Sequence, residues 1–291
     1  MTTGVPATNA AVESRETRLT QWIISIFGLY ARPEGNWLSI ASVVALLADL
    51  GVDGQAARSS VSRLKRRGVL GSERRGSAAG YALAGETLEV LAEGDVRIFE
   101  RTRANAHDGW AVVVFSVPES ERDKRHALRA GLTRLGFGTV SPGVRVAPAN
   151  LAVAARRTLE RRGLAEYVDI FTGDHFAFGD LRAKIRQWWD LDELTELYAE
   201  FLRLYRPVRY RMSKEDLLPG EAFSLYVPML THWRRLPYRD PGLPLSLLPS
   251  GWIGETAGEL FDELHRELNG PAQEHALEVI HRELPRPGKR G

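Results

Sequence analysis

The sequence has no cysteine among its 291 residues. That absence excludes a disulfide framework, a thiolate zinc site, an iron–sulfur cluster and a cysteine nucleophile, and it permits a reducing compartment. The longest apolar stretch, 22–31, is about half of the ~20 residues that a transmembrane helix needs, so a buried helix is expected there. Residues 1–14 lack a basic start followed by an apolar run, so no secretory signal is predicted. A cytoplasmic protein is the simplest expectation.

Short catalytic motifs are also lacking. The sequence contains neither a G-x-S-x-G elbow nor the phosphate-binding pattern G-x-x-x-x-G-K-S/T. Gly136-Phe137-Gly138 lies between a predicted helix and a predicted strand, which is the wrong order for a dinucleotide fingerprint. The composition, 44% hydrophobic and 26% charged, is that of an ordinary globular protein. These observations disfavour an enzyme, and we expect no cofactor.

Net charge is small overall, but positive charge is concentrated locally. The formal charge is only +2, from 39 Lys+Arg against 37 Asp+Glu, yet Glu73 is the single acidic residue between Gln55 and Gly80. The basic residues of that window are Arg58, Arg63, Lys65, Arg66, Arg67, Arg74 and Arg75. A local positive patch on a nearly neutral chain is typical of a nucleic-acid-binding element. The alternative is a solvated basic helix face.

The N-terminal pattern predicts a winged helix-turn-helix that follows a loose tail of about a dozen residues. Ser39 and Asp53 are suited to cap the second and third helices. In order, we expect a helix at 17–30, a short strand at 37–38, helices at 40–50 and 54–67, and a hairpin formed by 69–73 and 80–83. The residues between those two strands, 74–79, would then form a basic hairpin tip.

The helix predicted at 54–67 has the polarity that suits a DNA major groove. Ala57, Val61 and Leu64 recur on one side, which is expected to face the core. Arginine on the opposite side can pair bidentately with guanine, and serine hydroxyls can reach bases or phosphates. Arginines at the hairpin tip are expected at phosphates or in the minor groove. The predicted DNA-binding residues are Arg58, Ser59, Ser62, Arg63, Arg66, Arg74 and Arg75.

Further along, the pattern predicts an α+β domain and then a mainly helical region. Trp110–Val117 begins a strand–helix–strand–strand–helix–strand order, which is ferredoxin-like and is expected to end with strand structure near 167–171 and 175–178. Beyond 180 we expect a helix that stops at Pro207, a proline-rich passage with docked leucines, and two helices at 253–268 and 271–284. The predicted domains are a winged helix-turn-helix at 15–104, a ferredoxin-like domain at 105–180 and a mainly helical domain at 181–285.

Several motifs resemble the PaaX family of bacterial transcriptional repressors, over nearly the whole chain. The motifs are Trp110 before the first strand, Leu135-Gly136-Phe137, Gly143–Pro148, Arg235–Pro244 and Trp252-Ile253-Gly254. The resemblance implies a homodimeric repressor of an aromatic or acyl-CoA catabolic operon. In the best-known members of that family, phenylacetyl-CoA relieves DNA binding, so an aryl- or acyl-CoA thioester is the effector that the resemblance implies.

An effector is expected between the ferredoxin-like and C-terminal domains, because ligand pockets often lie at domain interfaces. Arginines there would hold phosphates and tryptophans would form apolar walls. The candidates are Arg234, Arg235, Arg239, Trp188, Trp189 and Trp252. The alternatives are structural ion pairs for the arginines and ordinary core positions for the tryptophans.

Other functions remain open at this stage. A winged helix can also serve as a protein- or RNA-binding module. A ferredoxin-like nuclease would need a metal-binding carboxylate where the first strand ends, but the sequence there is Phe115-Ser116-Val117-Pro118. Asp262 and Glu278 each precede a histidine by three residues, at His265 and His281, as in di-iron helix bundles. The further glutamates that such bundles need are not identifiable, so no metal is expected.

Overall fold

The computed structural model describes residues 6–175 and 178–283, with side chains from residue 16 onward. Within this part of the chain, α-helices and β-strands alternate up to residue 173 and helices dominate thereafter. The helices are α1 Pro6–Ile26, α2 Ile40–Ala48, α3 Gly54–Arg66, α4 Gly85–Asp95, α5 Arg122–Arg134, α6 Ala152–Arg161, α7 Leu181–Trp188, α8 Leu191–Met212, α9 Pro219–Trp233 and α10 Ile253–Arg282. The strands are β1 Leu38–Ser39, β2 Leu70–Arg75, β3 Ala78–Leu83, β4 Trp110–Phe115, β5 Gly138–Ser141, β6 Val144–Pro148 and β7 Val168–Gly173.

The chain divides into two compact units. Of the described residues, the first unit contains 6–94, 205–232 and 260–283, and the second contains 95–204 and 233–259. Helices α8, α9 and α10 therefore each contribute one part to each unit. The whole is a mixture of helix and sheet with a helical C-terminal region, as the sequence predicts.

In the first unit, α1 to α3 pack beside a small antiparallel sheet of order β1-β3-β2. Ile23 and Ile26 of α1 are fully buried, so the predicted apolar stripe faces the core. Helix α1 begins at Pro6, so the loose tail predicted for the first dozen residues is wrong from that residue onward. The C-terminal helices belong to the same core, because the Ser25 hydroxyl bonds to that of Thr231 at 2.7 Å and the Tyr30 ring lies 5.7 Å from that of Phe223.

In the second unit, α5 and α6 pack against an antiparallel sheet of order β5-β6-β4-β7. This is the predicted βαββαβ order. Alternate residues of β4, Ala111, Val113 and Phe115, face the helices and are buried, since successive side chains of a strand point to opposite faces. The strand predicted to continue to 178 ends at Gly173, and residues 176–177 lie outside the described part of the chain.

The proline-rich passage docks on the second unit through a buried carboxylate. Asp240 accepts hydrogen bonds from the Arg103 guanidinium at 2.9 Å, the Tyr198 hydroxyl at 2.9 Å and the Gly242 amide at 2.8 Å. Three of its leucines, Leu236, Leu243 and Leu248, are buried, as the predicted docking requires, whereas Leu245 is exposed. The passage is thus part of the packed core rather than a free linker.

Two predicted helix ends are wrong. Helix α8 continues through Pro207 to Met212, and the two helices predicted around Pro271 are one helix, α10. Proline removes one i→i−4 hydrogen bond and favours a break. Beyond Pro271 the helix is held by buried residues such as Ala272 and Val279, and beyond Pro207 by the ion pairs of Arg209 with Glu263 and of Arg211 with Glu221. Within the described residues, no helix combines the length and the apolar character that crossing a membrane requires.

Candidate functional site

The α2–turn–α3 segment is fixed at both helix starts by side-chain caps. The Ser39 hydroxyl accepts a hydrogen bond from the Ser42 amide at 2.9 Å, and the Asp53 carboxylate accepts from the amides of Gln55 and Ala56, each at 3.0 Å. Such caps satisfy backbone N–H groups that the first helical turn leaves unpaired. The caps predicted from the sequence are both confirmed, and they set the position at which α3 leaves the turn.

Helix α3 presents a polar, basic face opposite a buried one. Ala57, Ser60, Val61 and Leu64 are buried. The residues Arg58, Ser59, Ser62 and Arg66 are exposed, as are Lys65 and Arg67. Among the described residues, none of the four cations on this helix face forms an ion pair with a carboxylate; they are Arg58, Lys65, Arg66 and Arg67. Arg58 donates only to the Gly54 carbonyl, at 3.2 Å. The exposed face is therefore positively charged and open to an anionic partner.

Arg63 is placed differently from its neighbours on α3. Its guanidinium is half-buried, pairs with the Glu16 carboxylate at 2.7 Å and donates to the Ser60 hydroxyl at 3.0 Å. Arg63, predicted on the same side as Ser59 and Ser62, is therefore engaged within the protein rather than open to a partner. The reason is tertiary, because its partner lies 47 residues earlier in the chain, on α1.

The hairpin after α3 is longer in its strands and tighter at its tip than predicted. Arg74 and Arg75 belong to β2, and Gly76-Ser77 alone separates them from β3. Gly76 has φ +59°, which suits the first position of a two-residue type II′ hairpin turn. The predicted six-residue basic tip is therefore wrong, although both arginines remain exposed near the turn.

The two hairpin arginines also have partners in this structure. Arg75 pairs with Glu73 at 2.8 Å, donates to the Gly35 carbonyl at 2.9 Å, and lies over the Trp37 ring at 5.3 Å from its centroid. Arg74 donates to the Ser77 carbonyl at 3.0 Å. Of the seven predicted DNA-binding residues, four on α3 thus share one face without a carboxylate partner, and the other three, Arg63, Arg74 and Arg75, bond to other groups of the protein.

A cleft of about 640 Å³ lies in the second unit, where α7 passes into α8. It contains two of the predicted effector residues: Trp188, which is half-buried, and Trp189, which is buried and donates from Nε1 to the Gly136 carbonyl at 2.8 Å. A Cβ at Gly138 would lie 2.7 Å from the Trp189 ring, so the absence of a side chain there is what allows the indole to pack. The remaining lining residues are Thr139, Arg186, Gln187, Asp190, Leu191, Asp192, Thr195 and Pro249.

The other four effector candidates do not line this cleft. Arg235 is exposed, Arg239 pairs with Glu193, and Trp252 is buried with its ring against Tyr198. Arg234 is half-buried, and burial lowers the pKa of its guanidinium to about 10, partly offset by the nearby Tyr238. No sequence pattern indicates Arg186 or Thr139, because their place at the cleft depends on packing between distant segments.

The histidines considered as metal ligands have other partners. The His265 Nδ1 atom lies 2.7 Å from the Tyr226 hydroxyl, and the His281 Nε2 atom lies 3.4 Å from a Glu34 carboxylate oxygen. Within the described residues, no three His, Asp or Glu side chains are grouped so that they could hold a metal ion.

Three protein-family models match the chain, and all three describe one family. The model named PaaX-like protein matches residues 18–87, the PaaX protein central Cas2-like domain matches 103–185, and the PaaX-like protein C-terminal domain matches 189–278. The chain therefore belongs to the PaaX family, and its central domain is Cas2-like. The resemblance carried by its sequence motifs is confirmed.

A curated relative and a solved structure agree with this assignment. The chain is 26% identical over 277 residues to the transcriptional repressor PaaX of Escherichia coli (strain K12), covering 92% of this chain and 87% of that protein. It also resembles the solved structure of the uncharacterized protein Rv0674 from Mycobacterium tuberculosis, with a TM-score of 0.54 and 24% identity over 86% of this chain and 96% of that one. The second likeness concerns the fold alone.

Proposed function

We propose that this protein is a transcriptional repressor that binds operator DNA through an N-terminal winged helix-turn-helix, with α3 as recognition helix and the β2–β3 hairpin as wing. The observation that carries the proposal is the exposed face of α3, on which Arg58, Ser59, Ser62 and Arg66 share one side without a carboxylate partner. The element order and the three-stranded sheet support it. So does the relative, which is itself a transcriptional repressor.

Each proposed DNA contact has a chemical role. Arg58 and Arg66 would donate to guanine edges or phosphates, and Ser59 and Ser62 would bond to bases or phosphates in the major groove. Arg74 and Arg75 would meet the backbone beside the recognition helix. Arg63 is proposed to contact DNA only if its ion pair with Glu16 breaks when DNA binds, because a paired guanidinium has fewer donors for DNA.

The proposal includes two-fold symmetry and a domain division. Two heads of a homodimer would engage two half-sites of an approximately palindromic operator. We keep the domains at 15–104, 105–180 and 181–285, which the ranges of the three family models support. We propose a regulator rather than an enzyme, without cofactor, acting in the cytoplasm where its DNA is.

We further propose that an aryl- or acyl-CoA thioester, such as phenylacetyl-CoA, releases the protein from its operator. The cleft beside Trp188 offers an aromatic wall for the acyl group and Arg186 offers a cation at its rim. Arg234, Arg235, Arg239 and Trp252 stand outside that cleft, so Trp188 and Trp189 are the stronger candidates. A thioester can act only by binding one arrangement of the dimer better than another.

The test is an anisotropy titration of duplex DNA from the region upstream of the protein's own gene, over a series of salt concentrations. If Arg66 reads a base, Arg66→Ala should weaken specific binding by about 1–3 kcal/mol. If Arg66 meets a phosphate, the variant should reduce the slope of log binding constant against log salt concentration by about one. Arg156→Ala is the matched control, because Arg156 is exposed on the central domain and pairs with Glu160 at 2.8 Å. The titration is repeated with a panel of acyl-CoA thioesters.

Each proposed step has its own contradicting outcome. Equal affinity of Arg66→Ala and wild type would remove α3 as the recognition helix. Tight binding that no thioester changes would retain the repressor and reject the effector class. Specific binding to RNA or to a protein, together with only non-specific affinity for every genomic DNA sequence, would favour the alternative, an RNA- or protein-binding winged-helix module.

A further inference from the structure

Two arginines of the central domain lie together without an acidic partner. Arg145 of β6 is only 9% exposed and pairs in register with Val113, whose side chain belongs to the helix-covered face of the sheet. Arg129 of α5 is half-buried and reaches the same β5–β6 hairpin, where it meets the turn residue Pro142. Among the described residues, neither guanidinium forms an ion pair with a carboxylate. Arg145 donates to the Thr139 hydroxyl and Arg129 to the Pro142 carbonyl at 3.1 Å.

Most of the hydrogen-bonding capacity of this pair is unused. A guanidinium carries five N–H donors, and the Nε atoms of both Arg129 and Arg145 are buried without an acceptor in the described structure. Burial lowers the pKa of Arg145, and the neighbouring charge of Arg129 lowers it further. Two like charges held together out of water destabilise a fold unless something compensates them.

Elsewhere in the same unit, Arg103 and Arg97 show how other buried arginines are accommodated. Arg103 pairs with Asp240 at 2.9 Å and with Glu255 at 3.3 Å. Arg97 donates to the carbonyls of Pro237 and Leu135, at 2.7 and 2.8 Å, and lies 5.3 Å from the centroid of the Tyr238 ring. Arg103 has the carboxylate partners that Arg129 and Arg145 lack, and the charge of +2 on this pair calls for an anion.

We propose that Arg129, Arg145 and the Thr139 hydroxyl form a binding site for a phosphate group. A phosphate monoester carries a charge of about −1.5 to −2 near neutral pH and three acceptor oxygens, which match two guanidinium groups and a hydroxyl. Thr139 accepts from Arg145, so its own proton is available to a phosphate oxygen. A single carboxylate would neutralise only one of the two cations.

The site is distinct from the exposed face of α3, and two sources of phosphate fit it. Thr139 also lines the cleft beside Trp188, on the side of the sheet opposite its bond to Arg145, so one source is the phosphate of a small molecule that extends from that cleft around the edge strand β5. A phosphate of the DNA backbone is the other, because Thr139 is exposed at the sheet edge. The site stands whether or not the thioester proposal holds, since it rests on the arginine pair alone.

The first experiment measures the melting temperature of the full-length protein in inorganic pyrophosphate against chloride of equal ionic strength. We expect pyrophosphate to raise the wild-type melting temperature, because a ligand bound only by the folded state stabilises it. Arg129→Met and Arg145→Met should each raise the pyrophosphate concentration at half-saturation by about tenfold or more, as expected for a lost charge-assisted contact. Thr139→Val should weaken it less, and the ion-paired control Arg156→Met should leave it unchanged.

The same variants separate a ligand site from a structural role. Under the proposal, Arg129→Met in chloride alone keeps or raises the melting temperature, because it relieves repulsion. A lower melting temperature in chloride together with an unchanged pyrophosphate response would overturn the proposal. If Arg145→Met fails to fold, Arg129→Met still decides, since Arg129 is only half-buried on a helix surface. A wild type that does not respond to pyrophosphate also overturns it.

A second measurement identifies the source of the phosphate in the protein's working state. If the source is DNA, the Arg129→Met/Arg145→Met double variant should reduce the slope of log binding constant against log salt concentration, for non-specific duplex, by about two. Each phosphate contact contributes about 0.9 to that slope. With a small-molecule source, that salt dependence stays as in wild type while the pyrophosphate response is lost. Under either source the double variant loses the pyrophosphate response, and retention of that response overturns the site; the salt dependence then decides between the two sources.

Discussion

Asp240 illustrates how single residues of the family signature act. It stands inside Arg235–Pro244, the segment that most specifically marks the family, yet its carboxylate is turned inward to Arg103, Tyr198 and the Gly242 amide. Burying a carboxylate is costly unless it is paired and hydrogen-bonded, and all three partners are present here. The signature therefore records a requirement of packing in the second unit, which explains why its arginines are not gathered around the cleft.

His265 is a residue whose protonation the fold opposes. Its ring is stacked on Phe261, with centroids 5.7 Å apart, and its Nδ1 atom lies 2.7 Å from the Tyr226 hydroxyl. Burial lowers the pKa of His265, and the nearby Asp262 offsets only part of that shift. The histidine of the unfolded chain has its ordinary pKa of about 6.5 and is therefore protonated at a higher pH than His265 in the fold. As pH falls below about 6.5, this proton uptake favours the unfolded chain, and the free energy of unfolding decreases.

We therefore expect the free energy of unfolding to fall between about pH 7.5 and about pH 5.5 by more in wild type than in His265→Gln. Glutamine retains an oxygen that can accept from Tyr226 but does not titrate. Chemical denaturation at several pH values, on both proteins, measures the difference and cancels the contribution of other histidines. Parallel pH dependences would show that His265 is not held neutral by the fold.

At the scale of elements, helix starts were predictable and some helix ends were not. Ser39 and Asp53 cap α2 and α3 through bonds to residues two or three positions away, so the sequence contains all the information. Pro207 lies inside α8, where the local rule predicts an end. No residue from 203 to 212 is buried, but beyond the proline Arg209 pairs with Glu263 of α10 and Arg211 with Glu221 of α9, which are tertiary contacts. The pairing of Arg63 with Glu16 escaped prediction for the same reason.

Pro207 gives this argument a test. The residue is exposed, so its replacement alters the helix backbone with little change in packing. We expect Pro207→Ala to raise the free energy of unfolding by about 1–3 kcal/mol, because it restores a backbone donor and removes the clash of the proline ring with the preceding turn. Arg203→Ala, another exposed position of α8, is the control and should change stability by less than about 0.5 kcal/mol. A destabilised Pro207→Ala would mean that the proline fixes a bend that packing requires.

At the scale of the whole molecule, the basic head is not a separate body in this chain. The first compact unit joins 6–94 to segments of α8, α9 and α10 that lie more than a hundred residues later. Asp49, at the end of α2, bonds through its carboxylate to His275 at 2.9 Å and through its carbonyl to the Ser224 hydroxyl at 3.1 Å. The C-terminal helices thus contact the turn that leads into α3, so the start of α3 depends on its packing against them.

A fragment consisting of residues 6–94 should therefore fail to fold by itself. It would lack Phe223, Tyr226 and Val227 of α9, all fully buried in the intact unit, and Tyr30 would lose the ring of Phe223. Burial of a large apolar side chain contributes roughly 1.5–3 kcal/mol. Three such losses remove roughly 5–9 kcal/mol, which is comparable with the whole stability of a small domain, about 5–15 kcal/mol. Circular dichroism of the fragment should show a broad, non-cooperative thermal transition beside a sharp one for the full-length protein. A sharp transition in the fragment would instead establish 6–94 as an autonomous domain and would make the C-terminal helices a dispensable partner of the head.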